Sequence, residues 1–450
     1  MIQKTFLYLF IVYLLPWIIM LFFYLLYPAD IEKSTLVPIF LSFVHVFTIV
    51  ITSLFAIFLF LKYLPNRISH LDTVGKNALH PFFSKNLKVI VTVCLIILWM
   101  GIFFHFYDKM VIRGYDYFNE CINEIRDRWL QDGISRNGKP SSWQSIAGYV
   151  FFSFYFVSIW FIVLWKQYFS KRFYIITLVL SWIPVILFSY SLGSRSILVF
   201  CAAFFISLHL TSLLKTTFFV WIKENFLNVT ILIFILSLYI AGTMALRMSN
   251  CGKNIDKLTP SGYIGGYQKE LGIKLLKNIG DKNENSLNLT VLYTIGLYMN
   301  NGIWNFEHLY NTHLEGIKTS PITLRPIEHI KRKIGFSSGS ITEDGVRGYK
   351  KGNIALTGAL WNDFGLFGLI LIAFLVGLSL SIAFIAIAGM SEKIGLYAKL
   401  WLTIIGTIYL LSPLTYPPSL LAFPSFAISI CIIAILITIG YKNGQIVQKK

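Results

Sequence analysis

Residues 364–388 read FGLFGLILIAFLVGLSLSIAFIAIA and contain no charged side chain in 25 positions. About 20 such residues in an α-helix cross the roughly 30 Å hydrocarbon core of a bilayer. Similar runs recur along the chain, in which 56% of the 450 residues are hydrophobic and 13% are charged. A soluble domain carries about 25% charged residues. The composition therefore excludes a conventional soluble protein and predicts an all-α polytopic integral membrane protein.

The apolar runs predict about ten transmembrane helices. They lie near 5–27, 37–61, 89–107, 147–165, 173–192, 195–212, 227–246, 364–388, 395–412 and 420–440. No small-residue cleavage site follows the first run, so we do not expect a cleaved signal peptide. Every second connection is rich in Lys and Arg, and the positive-inside rule then places both termini in the cytoplasm. Two long connections, 108–146 and 247–352, fall outside.

The chain divides into three predicted parts. Residues 1–246 hold helices one to seven, with an outer hairpin at 108–146. We interpret this hairpin, with its six basic and six acidic residues, as solvated and amphipathic. Residues 247–352 form one large outer loop, in which the apolar segment 287–300 is too short to span and is expected to lie on or dip into the membrane. Residues 353–450 hold a short outer helix near 353–361, helices eight to ten and a basic tail.

The formal net charge of +18 is compatible with nucleic acid, anionic lipid or another anionic substrate as partner. The outer loop 247–352 carries 15 Lys and Arg against nine Asp and Glu. Long loops are translocated largely regardless of charge, so this excess does not serve orientation. An outer basic surface favours an anionic partner at that face, such as a phosphate or pyrophosphate group, and makes nucleic acid the least favoured partner.

Two arginines at the membrane boundary are candidates for binding that anion. Arg195 lies in the sequence SLGSRS between two predicted helices, and Arg247 follows predicted helix seven on the same outer face. Arg325 and Arg347 lie further along the outer loop. Guanidinium donates two parallel hydrogen bonds to phosphate and stays protonated. The alternatives are a side chain that snorkels to lipid phosphates for Arg195 and an end-of-helix anchor for Arg247.

Asp363 is the candidate that lies between two apolar stretches. As one helix, residues 353–388 would be about 54 Å long, well beyond the thickness of a bilayer. The segment must break, and Gly365 and Gly368 are the candidate positions. A break there places Asn362 and Asp363 at the outer rim, where Asp363 could pair with an arginine or accept a proton.

Other reactive residue types give weaker signals. The histidines of the outer loop, His308, His313 and His329, do not have the spacing of a metal site, so no metal and no cofactor is predicted. Cys121 and Cys251 lie in the two outer connections and could form a disulfide, although unpaired thiols are the favoured interpretation. Trp304, Phe306 and Tyr310 could stack on sugar rings, but a small hydrophobic core of the loop is favoured.

Three features together resemble the Wzy-type O-antigen polymerases, which are related to the O-antigen ligases. They are Gly193-Ser194-Arg195 opening a helix, a large outer loop entered through Arg247, and an exit segment in which Gly352-Asn353 precedes Asn362-Asp363-Phe364-Gly365-x-x-Gly368. Arg347 with Gly358 also fits an Arg-x10-Gly pattern of some members, and Arg247 does not. The His-Asn pair of the ligases is absent, because Gly352 precedes Asn353.

The resemblance implies a GT-C-like fold in the bacterial inner membrane and a reaction at the periplasmic face. Two undecaprenyl-pyrophosphate-linked oligosaccharides would be donor and acceptor in an inverting, metal-independent glycosyl transfer that lengthens a surface polysaccharide. A chain-length regulator and a flippase are candidate partners. Alternative interpretations are a ligase-like glycosyltransferase and a lipid-linked oligosaccharide flippase or transporter.

Under this resemblance each candidate residue has an expected role. Arg195 and Arg247 would hold the pyrophosphate, and Arg347 or Arg325 would close over it. Asn353 and Asn362 are further substrate-binding candidates. The general base is expected among four residues, in falling order of preference: Asp363, Glu343, Asp344 and His329.

Overall fold

We analysed the fold in a computed structural model. It describes residues 2–26, 29–30, 36–63, 81–120, 122–135, 142–192, 196–214, 220–221, 223, 225, 230, 274–275, 300, 302–307, 309–311, 354–417, 420 and 422–448. Within these ranges the chain is almost entirely helical. The helices are α1 (Ile2–Leu9), α2 (Leu15–Leu26), α3 (Val37–Tyr63), α4 (Pro81–Phe106), α5 (Ile122–Ser135), α6 (Trp143–Phe152), α7 (Phe154–Leu164), α8 (Lys171–Ser191), α9 (Ser196–Ser212), α10 (Leu356–Gly389), α11 (Glu392–Leu410) and α12 (Phe423–Gln448).

Seven helical segments among the described residues are long and apolar enough to cross a membrane. They are Ile2–Leu25, Val37–Tyr63, Asn86–Ile112, Trp143–Leu164, Lys171–Ser191, Leu356–Gly389 and Phe423–Tyr441. The prediction of a multi-pass, all-α membrane protein is therefore confirmed. Helices α9 and α11 form where two further spans were predicted, whereas 227–246 lies almost wholly outside the described residues. The count of ten stays a prediction.

Several helices depart from the predicted spans at irregular turns. A π-helical turn, Phe10–Leu14, joins α1 to α2, and another, Tyr107–Ile112, continues α4 beyond the predicted end at 107. The predicted span 147–165 is divided between α6 and α7 at Ser153, where the backbone N–H of Ser153 donates to the carbonyl of Val150 at 3.2 Å. These irregular turns change the local helical periodicity, which the hydropathy of a run does not record.

The helices pack around two hydrophobic cores. Helices α4, α6 to α9 and α12 enclose one core, and α1 to α3, α10 and α11 enclose the other. Helix α9 contacts both groups and packs along α11. Thirteen of its 17 residues are buried. Because neighbouring helices rather than lipid cover most of its surface, α9 lies at the centre of the bundle.

One end of the bundle, which we call the loop end, carries the connections predicted to lie outside. There the hydroxyl of Tyr117, beyond α4, donates to the carbonyl of Ser191 at the end of α8, at 2.8 Å. The short connection between α2 and α3, which the alternation of basic connections also predicts to lie outside, meets the large loop, because Ala29–Asp30 pairs antiparallel with Lys274–Leu275. This two-residue pairing is the β-structure that the described residues contain, and it agrees with the prediction that both connections share one face.

The outer hairpin 108–146 begins differently from its prediction. Asp108 is fully buried and Lys109 is 2% exposed, so the start of the hairpin is not solvated. Asp108 accepts hydrogen bonds from Nε of Arg113 at 3.0 Å and from the hydroxyl of Ser142 at 2.7 Å. The ammonium of Lys109 lies 5.4 Å from the ring centre of Tyr115. Burial of these charges is tolerable because opposite charges and an aromatic face replace their hydration.

Candidate active site at the loop end

The break in α10 lies at Gly365, one of the two predicted positions. Gly365 has φ 65° and ψ −168°, a conformation that is essentially restricted to glycine. A Cβ on Gly368 would come closer to the Cβ of Phe364 than real Cβ atoms do. The kink therefore needs glycine at both positions, which explains the spacing of the Phe-Gly-x-x-Gly segment. The part of α10 before the break begins at Leu356, three residues after the predicted start of the short outer helix at 353.

A short helical segment of the large loop packs into the bundle beside this break. We call it the loop helix, and it comprises residues 302–307 and 309–311. The carbonyl of Gly302 accepts from the backbone N–H of Ala355 at 3.0 Å, and the N–H of Leu356 donates to the carbonyl of Ser412 at 2.9 Å. A Cβ on Gly302 would clash with the carbonyl oxygen of Pro413. Close backbone contact thus fixes the loop helix against the start of α10 and the end of α11.

Glu307 is the acidic residue that the loop helix carries into this region. Its side chain is only 5% exposed, and its Oε1 accepts a hydrogen bond from the hydroxyl of Tyr24, near the end of α2, at 2.9 Å. Burial raises the pKa of Glu307 from 4.5 to about 7, and the Tyr24 hydrogen bond offsets part of that rise. A carboxyl group in this state exchanges a proton near neutral pH.

Asp363 lies in α10, two residues before the Gly365 break. Its Oδ1 accepts a hydrogen bond from Nδ2 of Asn362 at 2.6 Å, and both side chains are partly exposed. Burial and then the charge of Asp363 raise the pKa of Tyr416 to about 12. Asp363 therefore lies close to a phenol that stays protonated, and the place of Asn362 and Asp363 at the outer membrane boundary stays a prediction.

Aromatic side chains of the loop helix and of α10 contact one another close in sequence to the two carboxyl groups. The ring of Trp361 lies 5.8 Å from that of Phe306 and 5.1 Å from that of Tyr310. Phe306 is fully buried and Trp304 is 6% exposed, whereas Trp361 and Tyr310 are half-buried. Trp304 and Phe306 form a hydrophobic core, as favoured, but they share it with α10 rather than with a separate loop domain. The exposed faces of Trp361 and Tyr310 can stack on a sugar ring.

Asn300 is a second polar residue of the large loop in the bundle. It is fully buried, and within the described part of the chain neither its Oδ1 nor its Nδ2 has a hydrogen-bond partner. It is also the one residue of the predicted membrane-dipping segment 287–300 that the structure describes. This end of the segment is therefore buried in the bundle, whereas 287–299 lie outside the described residues.

The buried charges of the outer hairpin form a separate cluster at the loop end. The hydroxyl of Tyr115 donates to Oδ2 of Asp132 at 2.6 Å, and Nη1 of Arg113 lies 3.7 Å from the same oxygen. Nε2 of His105 lies 2.6 Å from the hydroxyl of Ser191, which comes two residues before the Gly193-Ser194-Arg195 turn. Because its charges balance and its members bond to one another, we assign this cluster a structural role.

Asn362 and Asp363 are the predicted site residues that the structure describes. The others lie outside the described residues: Arg195, Arg247, Arg325, Arg347, Asn353, Glu343, Asp344 and His329. The same holds for the candidate disulfide between Cys121 and Cys251. Among the described residues, no group of three His, Cys, Asp or Glu side chains is placed to hold a metal ion.

Comparison of the chain with models of known families, with curated proteins and with solved structures gives no match. The candidate site therefore stands on its own geometry and on the motifs. Sequence reasoning missed Glu307, although a signal was present: it is a single acidic residue within the apolar stretch GIWNFEHLY at 302–310. The same isolation between apolar residues identified Asp363. Tyr24 and Tyr416 gave no such signal, because tyrosine is common near the ends of membrane helices.

Proposed function

We propose that this protein polymerises undecaprenyl-pyrophosphate-linked oligosaccharide repeat units at the outer face of a bacterial inner membrane. The observation that carries the proposal is that the loop helix, which bears Glu307, packs through Trp361 on the part of α10 that bears Asp363 and ends at the Gly365 break. This arrangement combines two carboxyl groups, half-exposed aromatic rings and the exit segment of a basic outer loop. Sugar transfer from a lipid pyrophosphate needs carbohydrate binding, charge neutralisation and proton removal.

The proposed role of each residue follows from the chemistry of the leaving group. Pyrophosphate is a good leaving group, so the protein must chiefly neutralise the charge that grows on it. Arg195, Arg247 and Arg347 or Arg325 take this role, because guanidinium forms paired hydrogen bonds with phosphate oxygens. Trp361 and Tyr310 support the sugar. A carboxylate accepts the proton of the acceptor hydroxyl.

The decisive experiment uses purified full-length protein in proteoliposomes with lipid-linked repeat units extracted from cells that lack its gene. Lengthening of the glycan on the lipid supports a polymerase. Movement of the repeat unit across the bilayer without lengthening would instead identify a flippase. Transfer only when a lipid A core acceptor is added would identify a ligase. The absence of lengthening by the active preparation contradicts the proposal.

Arginine variants test the proposed pyrophosphate contacts. Arg195→Ala, Arg247→Ala and Arg347→Ala are each expected to reduce lengthening by about 100 to 1000-fold, the usual effect of losing one contact to developing charge. Arg195→Lys keeps the charge but loses the planar fork, so it should recover little activity. Arg128→Ala is the matched control, because Arg128 is 45% exposed and pairs with Glu120 in the outer hairpin. Normal polysaccharide ladders from all three alanine variants would overturn the assignment.

A further inference from the structure

The loop helix carries a buried carboxyl group, that of Glu307, which none of the sequence motifs identified. Glu307 is 5% exposed, so burial disfavours its ionised form. Contacts must then stabilise the carboxylate, or the group takes up a proton easily. One contact is present, the hydrogen bond from Tyr24 to Oε1 at 2.9 Å. Within the described part of the chain, Oε2 has no hydrogen-bond partner. A carboxylate held by one oxygen, with the other oxygen unengaged, is arranged to accept a proton from a bound hydroxyl.

The position of Glu307 relative to the aromatic rings strengthens this argument. Phe306 and Tyr310 flank Glu307 along the loop helix, and both rings contact Trp361. Asp363 follows two residues after Trp361, so the loop helix and the rim of α10 meet around the same rings. A sugar stacked on the half-exposed faces of Tyr310 and Trp361 lies beside the helix that carries Glu307. Asp363, by contrast, is partly exposed and is hydrogen-bonded by Asn362.

We propose that Glu307 is the general base of the transfer reaction and that Tyr24 positions its carboxylate. The inference rests on the proposed function. In the step, the acceptor hydroxyl oxygen forms a bond to the anomeric carbon of the donor sugar as the bond from that carbon to the pyrophosphate oxygen breaks. The bonding electron pair leaves with the lipid pyrophosphate. The hydroxyl proton moves to the Glu307 carboxylate and is later released to water.

The groups around Glu307 set its pKa and therefore the pH dependence of the proposed reaction. The titratable groups on the elements that pack against it are Tyr24 on α2, Asp363 on α10 and Tyr416 after α11, together with Tyr310 on the loop helix itself. Burial raises the pKa of Glu307 to about 7, and the Tyr24 hydrogen bond lowers it. The wild-type rate should therefore rise with pH through about 7, because only the ionised carboxylate can accept a proton.

Glu307→Gln provides the first test. The amide oxygen can still accept the Tyr24 hydrogen bond, so the packing is preserved, but the side chain can no longer accept a proton. We expect kcat for glycan lengthening in proteoliposomes to fall about 100 to 10,000-fold, with KM unchanged and without the rise near pH 7. Glu124→Gln, at an exposed position on α5, is the matched control and should retain activity.

Two further measurements separate a base from a structural carboxylate. Tyr24→Phe removes a bond that lowers the pKa of Glu307, so the pH midpoint of the rate should shift upward while substantial activity remains. Labelling of Glu307 by dicyclohexylcarbodiimide, which reacts with protonated carboxyl groups, should fall by half near pH 7 when read by peptide mass spectrometry. A labelling midpoint that differs from the pH midpoint of the rate would overturn the proposal.

The outcomes also distinguish this inference from the proposed function. If wild-type protein lengthens the glycan and Glu307→Gln retains its rate and pH profile, Glu307 is a structural residue and only the inference fails. If wild-type protein does not lengthen the glycan at all, both the function and the base assignment fail. A selective loss of kcat in Glu307→Gln, with activity retained in Glu124→Gln, supports both.

Discussion

Replacement of Gly365 by alanine tests whether backbone conformation at one residue holds the candidate site in place. The added Cβ would have no heavy atom within 4 Å, so steric contact contributes nothing to the effect. What remains is the cost of φ 65° and ψ −168° for a residue with a side chain, about 1 to 3 kcal/mol. The folded-to-unfolded ratio should therefore fall about 5 to 150-fold.

Gly395→Ala is the control for this experiment. Gly395 lies in α11, and the nearest atom to an added Cβ is the carbonyl oxygen of Ala386 at 3.9 Å, an ordinary contact distance. Alanine is favoured over glycine inside a helix by about 0.5 to 1 kcal/mol, so this variant should be as stable as wild type or more stable. The two variants should differ by about 1.5 to 4 kcal/mol.

Reversible unfolding in mixed detergent micelles measures the difference, and the glycan-lengthening assay measures its consequence. If alanine straightens α10 instead of adopting the strained conformation, Asp363 changes direction relative to the loop helix, and lengthening activity should fall with the free energy of unfolding. Equal stability and activity of the Gly365→Ala and Gly395→Ala variants would refute the reasoning that the kink requires glycine.

Two further predictions concern buried charge. Asp108→Ala leaves Arg113 without its principal partner, so we expect the free energy of unfolding to fall by about 3 kcal/mol. Glu120→Gln, at a partly exposed pair, should lower it by less than about 1 kcal/mol, and equal losses in the two variants would contradict the buried pairing. The raised pKa of Glu307 means that the folded state binds its proton more tightly than the unfolded state does. The contribution of Glu307 to the free energy of unfolding should therefore be greatest below pH 4.5 and should fall, by up to about 3 kcal/mol, as the pH rises to about 7. Glu307→Gln should flatten that decline, and an unchanged pH dependence in unfolding experiments would show that Glu307 does not cause it.

Much of the membrane architecture could be predicted from the sequence. Apolar runs located the helices, because the thickness of the hydrocarbon core imposes a minimum length that composition reveals directly. The break in α10 was also predictable, since 36 residues exceed one span and glycines stand at the required place. The ends of helices were less accurate. The π-helical turn after α4 carries Asp108 and Lys109 into a buried cluster, and charged residues in a sequence are ordinarily assigned to solvent.

The candidate site divides in the same way. Asp363 was identified from sequence because a charge between two apolar stretches is costly unless it has a function or a partner. Glu307 stands in a similar stretch, yet its significance depends on Tyr24, which is 283 positions away in the chain and 2.9 Å away in space. No local pattern records such a pairing.

The sequence by itself determined that this chain is a multi-pass helical membrane protein, because hydrophobic length and charge distribution are properties of segments. It also determined that α10 must break near Gly365, since only glycine adopts that backbone conformation without strain. The tertiary structure alone decided that the loop helix enters the bundle, that Glu307 is buried there and that Tyr24 holds it. Burial and proton affinity arise from neighbours distant in sequence, and packing rather than composition brings those neighbours together.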